Sequence, residues 1–166
     1  MMTSEINAAL LRFIKDSPSA FHTCASLVKM YTDAGYTELA GGQYENLQAG
    51  HGYFVCRNQS SVIAFRVPAQ PVTSAVICAA HSDSPSYKIK DNPELYSGPY
   101  LRLNTEPYGG MLPATWFDRP LSAAGRLVVR DPETEGRILT KLVRIDRDLL
   151  LIPSVAPHMA PDPPRD

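Results

Sequence analysis

The chain has 166 residues and a formal net charge of −1, with both signs interspersed among charged residues that make up 20% of it. This excludes a protein that attracts nucleic acid or an anionic membrane over its whole surface. Apolar residues at 44% exclude a disordered chain. No apolar run approaches the roughly 18 residues of a membrane span, and Glu5 stands where a signal peptide would be positive. We expect a soluble, cytoplasmic protein with one domain, or one small domain and part of another.

The chain begins with apolar residues at helical spacing. They are Ile6, Leu10, Phe13 and Ile14. Residues 16–18 (Asp-Ser-Pro) end this helix, and Ser19 is a good N-cap for a second helix from Ala20 to about Ala34. Gly35 is the expected stop, since glycine tolerates the left-handed backbone found just past a helix end.

Strand patterns follow the helices. Residues 53–56 and 62–65 predict a hairpin joined by a polar turn at 57–60. The run Thr73–Ala80 is apolar without alternation, which predicts a strand covered on both faces in the centre of an α/β sheet. Two helices, a hairpin and a buried strand favour a mixed sheet covered by helices.

From Tyr87 onward the pattern indicates only β-structure, and no helix is expected after Gly35. The candidate strands are 87–90, 100–104, 121–130, 137–143 and 149–152. The change of pattern near residue 90 predicts a domain boundary there. Four of the last ten residues are proline, so residues 157–166 are expected to form neither a helix nor a central strand.

The three cysteines, Cys24, Cys56 and Cys78, are odd in number and widely spaced. They predict buried free thiols in a reducing compartment. Cys78 lies inside the predicted apolar strand, and no nucleophile elbow surrounds Ser82 or Ser84. We therefore do not expect Cys78, Ser82 or Ser84 to be a nucleophile.

The clearest candidate for chemistry is the His81-x-Asp83 pair that directly follows the apolar run. Ligand sites in open α/β sheets gather where strands leave the core, and neutral imidazole is the commonest protein ligand for zinc. Asp83 would then accept a hydrogen bond from the other ring nitrogen and orient the imidazole. The alternative is a partly exposed polar histidine at a strand end with no ligand role.

Two further segments have structural interpretations. Residues 108–122 hold the single tryptophan, and we favour Trp116 and Phe117 as packing anchors and Asp118 with Arg119 as residues that tie down a loop. His22, near the start of the second helix, is interpreted as a surface or capping residue rather than a ligand.

Taken together, these segments resemble the aspartyl aminopeptidase family of metalloaminopeptidases. The match is spread over roughly residues 6 to 159 and keeps the family's order. The segments that carry it are Phe13–His22 with a Ser-Pro-x-x-Phe-His turn, the hairpin 57–65, Ala80–Pro85 against a His-Thr-Asp-Ser-Pro signature, Thr115–Arg126 against a Trp-Phe-Asp-Arg segment, and Ile152–His158.

The resemblance implies an α/β fold: the N-terminal part of a helix-flanked mixed-sheet catalytic domain over 1–90, part of an inserted β-rich domain over 91–156, and a Pro-rich tail over 157–166. It implies a peptidase that removes acidic or other residues from the N-termini of peptides by means of a water activated by two zinc ions. His81 matches the family's first zinc ligand, and Asp83 matches the catalytic-site carboxylate that orients it. Peptide substrates and a homo-oligomer are implied, with no nucleic acid or membrane partner.

The sequence departs from the family in its ligands and in its tail. The family's other metal ligands, which include a Glu-Glu pair, have no counterpart here, and residues 160–166 match nothing in the family. We therefore expect a truncated chain with an incomplete metal site, inactive by itself. The alternatives are a non-catalytic assembly or binding remnant of the same family, and a small α+β domain with an unrelated role.

Overall fold

A computed structural model describes residues 2–40 and 44–159. Two α-helices open the chain, α1 at Met2–Asp16 and α2 at Ala20–Asp33. Seven strands follow: β1 Thr37–Glu38, β2 Gly52–Arg57, β3 Ser61–Arg66, β4 Ser86–Ser97, β5 Tyr100–Tyr108, β6 Ala124–Arg130 and β7 Ile138–Arg144. Short 3-10 helices lie at Pro113–Trp116 and Pro157–Met159. The class is mixed α/β, as the sequence predicts.

Both ends of α2 are set by local sequence. Ser19 has an extended backbone (φ −147°, ψ 163°), and its hydroxyl oxygen accepts from the His22 N–H, which satisfies an otherwise unpaired donor of the first turn. Gly35 adopts φ +79° past the other end, and the following Tyr36 N–H donates to the Tyr31 carbonyl at 2.9 Å. The predicted cap and stop are confirmed, with the helix ending one residue earlier than expected.

The helices are followed by a three-stranded mixed sheet in the order β1-β2-β3. Strand β1 pairs with β2 in parallel, whereas β2 and β3 form the predicted antiparallel hairpin, with Val55 opposite Ile63. The hairpin turn places Asn58 and Gln59 at φ +50° and +55°. Two left-handed residues give a turn whose twist matches that of the paired strands.

The core lies where α2 packs on this sheet. The most buried side chains in the described part of the chain are Cys24 of α2 and Phe54 of β2, which are 2% and 1% exposed. The Tyr31 ring stacks against Phe54 with centroids 6.0 Å apart. Burying a side chain of this size stabilises the fold by roughly 1.5–3 kcal/mol, so this layer is the main source of stability in the first half of the chain.

The prediction of a buried central strand at Thr73–Ala80 is wrong. These residues have no regular secondary structure, and Val76 and Ile77 are 94% and 86% exposed. A strand needs a neighbour for its backbone hydrogen bonds, and no strand in the described ranges pairs with this run. The expectation of three buried free thiols holds for Cys24 alone: Cys56 is half-buried, and Cys78 is exposed because its segment is not a covered strand.

The remaining strands form two antiparallel pairs, β4–β5 and β6–β7. The candidate strands at 87–90, 100–104 and 137–143 are confirmed, with β4 and β5 longer than predicted. The candidate at 121–130 begins at Ala124, and the one at 149–152 is reduced to a single bridge between Leu121 and Leu150. In the described part of the tail, Pro157–Met159 forms a 3-10 turn where no helix was expected; residues 160–166 lie outside the described residues.

The chain divides into two compact units. The first comprises Met1–Ser84 with Ala124–Arg144, and the second comprises Pro85–Ala123 with Ile145–Asp166. Hairpin β6–β7 therefore belongs to the same unit as the helices, although it follows residue 90. The predicted domain division at residue 90 stays a prediction. Within the ranges given above, none of the helices has the length and apolar character that crossing a membrane requires.

Removing the cap of α2 tests how this helix is held. We expect Ser19→Ala to lower the free energy of unfolding by about 1 kcal/mol, because the His22 N–H loses its acceptor. Urea unfolding followed by circular dichroism measures the change. Ser74→Ala, at an exposed position in an irregular segment, is the control and should leave the midpoint unchanged; an equal loss in both variants would contradict the cap's role.

Candidate functional site

The candidate site is the segment His81–Ser84, which has no regular secondary structure. It is tied to the first sheet by Ser82, whose hydroxyl donates to the Ser60 carbonyl in the β2–β3 turn at 2.9 Å. The serine that was rejected as a nucleophile thus has a structural contact. This contact gives the irregular segment a fixed point on a hairpin.

The β2–β3 turn is itself held by Arg126 of β6. Its Nη1 donates to the Asn58 carbonyl at 2.8 Å and to Asn58 Oδ1 at 3.2 Å. The guanidinium carbon lies 4.1 Å from the centre of the Phe21 ring, a cation–π distance. Sequence reasoning missed this link, because the two hydrogen-bonded residues are 68 positions apart and no sequence pattern pairs them.

The imidazole of His81 has a defined orientation. Its Nδ1 lies 2.8 Å from the main-chain carbonyl of Asp83 and 3.1 Å from Asp83 Oδ1. Both oxygens are acceptors when the carboxyl group is ionised, so Nδ1 carries the proton in the neutral ring and Nε2 keeps its lone pair. The side chain is 80% exposed. The unprotonated Nε2 is therefore available to a ligand from solution.

The described residues do not form a complete metal site. Residues 2–40 and 44–159 contain no group of three or more His, Cys, Asp or Glu side chains placed to hold one ion. A structural zinc takes about four protein ligands and a catalytic zinc about three. His81 would supply one nitrogen ligand in the right tautomer, and the donor set of the described residues does not fit a whole zinc centre.

The other histidine interpreted from sequence, His22, has the capping role expected of it. Its Nδ1 lies 2.7 Å from the Ser19 hydroxyl oxygen, at the N-terminus of α2. Burial, and to a smaller extent the charge of Arg144, lowers the pKa of His22. Both effects favour the neutral ring, which can share a hydrogen bond with a hydroxyl group.

The Trp-Phe-Asp-Arg segment is structural, as predicted. Asp118 accepts from the Ser154 N–H at 2.9 Å and from the Ser154 hydroxyl, and its own N–H donates to the Ile152 carbonyl at 3.0 Å. The Trp116 ring meets Tyr87 edge-on, with centroids 5.6 Å apart. The two donors from Ser154 lower the pKa of Asp118.

Comparison with known proteins decides the family. A family model described as aminopeptidase I zinc metalloprotease (M18) matches residues 13–165. The chain belongs to the M18 family. It is 39% identical over 160 residues to "Probable M18 family aminopeptidase 2" of Pseudomonas savastanoi pv. phaseolicola, covering 95% of this chain and 37% of that protein. It is 42% identical over 171 residues to the protein of the same name in Clostridium acetobutylicum, covering 97% and 38%.

Solved structures agree with the M18 assignment. The structure of Chaetomium thermophilum mApe1 is similar with a TM-score of 0.84 and 33% identity, covering 93% of this chain and 36% of that one. The S. cerevisiae mApe1 dodecamer is similar in fold with a TM-score of 0.78 and 22% identity, covering 95% and 37%. The chain thus spans a little over one third of the length of these M18 proteins, and the resemblance found from its motifs is confirmed at the level of the family.

The carboxylate of Asp118 predicts a pH dependence for this M18 chain. Because the folded-state pKa is lowered from 3.8, its stabilisation is complete above the unfolded pKa and is lost as pH falls through the folded value. We expect Asp118→Asn to lower the thermal unfolding midpoint at neutral pH, with a difference from the parent chain that shrinks below about pH 4. A difference that is constant with pH would contradict this role for the charge.

Proposed function

We propose that this chain forms part of an M18 aminopeptidase that uses zinc to hydrolyse the N-terminal peptide bond of peptides, including those that begin with an acidic residue. Membership of the family supports the peptidase class. The orientation of His81 is the observation that carries the proposal to particular residues. An exposed imidazole, held in the tautomer that binds metal, lies in the segment that matches the family's signature.

In this proposal Nε2 of His81 is a zinc ligand and Asp83 is the carboxylate that positions it. The contacts between Nδ1 and Asp83 fix the ring and make Nε2 a better donor. Zinc bound by a full set of ligands acidifies a water molecule for attack on a carbonyl group. Two zinc ions are proposed for the complete centre, and their other ligands come from outside the residues described here.

The proposal extends to domains and assembly. Residues 1–90 would contribute to the catalytic domain and 91–156 to a β-rich domain that mediates association of identical chains. The similarity to a fungal dodecamer supports a homo-oligomer for the longer protein. Peptides are the proposed substrates and the cytoplasm the proposed location.

A second candidate function follows from the missing donors. The described residues offer no complete metal site, and a non-catalytic module that keeps the family's fold and its association surface would need none. This module would form a discrete oligomer and bind zinc only weakly. The aminopeptidase proposal, in contrast, requires further polypeptide to complete the centre.

The 166-residue chain by itself should show little or no hydrolysis of aspartyl or leucyl chromogenic amides, because one histidine cannot hold the zinc centre. Activity, zinc content and elution volume are measured on the same preparation, with and without a chelator. Robust hydrolysis that a chelator abolishes would show that the chain completes a site of its own. A zinc-free, inactive chain that elutes as a discrete oligomer would favour the assembly module.

In the longer peptidase that contains this sequence, we expect His81→Ala to abolish hydrolysis and reduce the bound zinc. Asp83→Asn should weaken zinc binding by about 10–100-fold, because the carboxylate that polarises the imidazole is lost. Zinc competition against a chromophoric chelator measures the affinity directly.

His51→Ala is the matched control. His51 is an exposed histidine whose ring packs on Tyr53, away from the His81 segment in the sequence. It should leave zinc affinity and activity within about twofold of the parent. Parent-like zinc affinity and activity in His81→Ala would refute the assignment of His81.

A further inference from the structure

Two thiols that the proposed peptidase chemistry does not use lie in contact inside the first compact unit. Cys24 of α2 and Cys56 of β2 are 32 residues apart in the chain, and their sulfur atoms are 3.3 Å apart. A disulfide bond is about 2.05 Å long. The sulfurs therefore need to approach by only about 1 Å to reach bonding distance.

The two thiols differ in accessibility. Cys24 is 2% exposed, whereas Cys56 on β2 is half-buried. Nothing stands between the sulfurs, and Cys24 Sγ has only one other polar neighbour described, the Ser61 carbonyl at 3.9 Å. Cys56 is therefore the thiol that a small reagent reaches first, and Cys24 is the buried thiol in contact with it.

We propose that Cys24 and Cys56 are a redox modification site, at which a low-molecular-weight disulfide such as glutathione disulfide converts the pair into a reversible intramolecular disulfide that ties α2 to β2. The site is independent of zinc and of the aminopeptidase proposal.

The reaction balances in two exchange steps. The Cys56 thiolate attacks one sulfur of glutathione disulfide, forms a mixed disulfide and expels one glutathione thiolate. The Cys24 thiolate then attacks the Cys56 sulfur, forms the protein disulfide and expels the second glutathione thiolate. Two protein thiols are oxidised, one glutathione disulfide is reduced to two glutathione molecules, and the two thiol protons pass to the leaving thiolates.

The environment of Cys24 makes the second step the slow one. The pKa of Cys24 is raised to about 12, and burial is the largest cause. The hydrogen bond with Cys56, the negative charge of an ionised Cys56 and the charge of Glu38 on β1 raise the pKa further. Burial still acts on Cys24 after Cys56 has become a mixed disulfide, so only a small fraction of this thiol is ionised at neutral pH, and that fraction rises about tenfold for each pH unit. Closure of the disulfide should therefore become faster as the pH rises.

The test uses the full 166-residue chain with Cys78→Ser, which removes the exposed third thiol. The folded protein is incubated with glutathione disulfide, blocked with N-ethylmaleimide, and its intact mass is measured. The expected product is lighter than the reduced chain by two hydrogen atoms and carries neither glutathione nor maleimide. Proteolysis should yield one linked peptide containing both cysteines. Proteolysis of the unsubstituted chain gives the same readout if the substitution impairs folding.

Two controls separate positioning by the fold from chance pairing. Cys24→Ser with Cys78→Ser should stop at the glutathione adduct on Cys56. In concentrated urea the ratio of internal disulfide to glutathione adduct should fall roughly tenfold or more, because the chain is unfolded and the two thiols are no longer held together. A folded chain that accumulates the adduct or two maleimides, or an equal ratio in urea, would overturn the proposal.

Closure should also stabilise the unit. A disulfide that closes a loop of this length lowers the entropy of the unfolded chain, and the thermal midpoint of the oxidised Cys78→Ser chain should exceed that of the reduced chain by about 5 °C or more. An unchanged or lower midpoint would show that the bond strains the fold, which would contradict a site prepared by this geometry.

Discussion

The packing of α2 on the three-stranded sheet is the interaction on which the rest of the first unit depends. Cys24 and Phe54 are nearly inaccessible because each lies between helix and sheet. With that layer in place, the β2–β3 turn has a fixed position, and Arg126 and Ser82 can both bond to its backbone. The His81 segment has no secondary structure of its own, so its position depends on the hydrogen bond that joins Ser82 to the hairpin.

Features set by short-range interactions could be predicted from the sequence. The Ser19 cap, the Gly35 stop and the hairpin across 53–65 each depend on residues within about a dozen positions of one another. The prediction of a strand at Thr73–Ala80 is wrong because an apolar pattern carries no information about whether partner strands are present. An apolar run predicts a covered strand only if other strands pair with it, and no described strand does so.

The candidate site shows the same division. The His-x-Asp spacing predicted the contact between the two side chains, because it is closed within three residues and requires no distant partner. The Ser82 hydrogen bond joins positions 22 apart and the Arg126 bonds join positions 68 apart. Neither link has a sequence signature, so only the folded chain reveals what holds the site. The proposed metal centre is the extreme case, because its other ligands would come from outside the described residues.

This division explains how strong family evidence and an incomplete metal centre can hold for one chain. The family model matches residues 13–165. The chain has the fold of the corresponding third of Chaetomium thermophilum mApe1, with a TM-score of 0.84. A zinc centre, in contrast, requires donors brought from several segments at once. One exposed histidine in the correct tautomer is what a single segment can contribute by itself. The orientation of His81 is therefore a property of this segment, whereas the proposed catalysis would be a property of the complete domain.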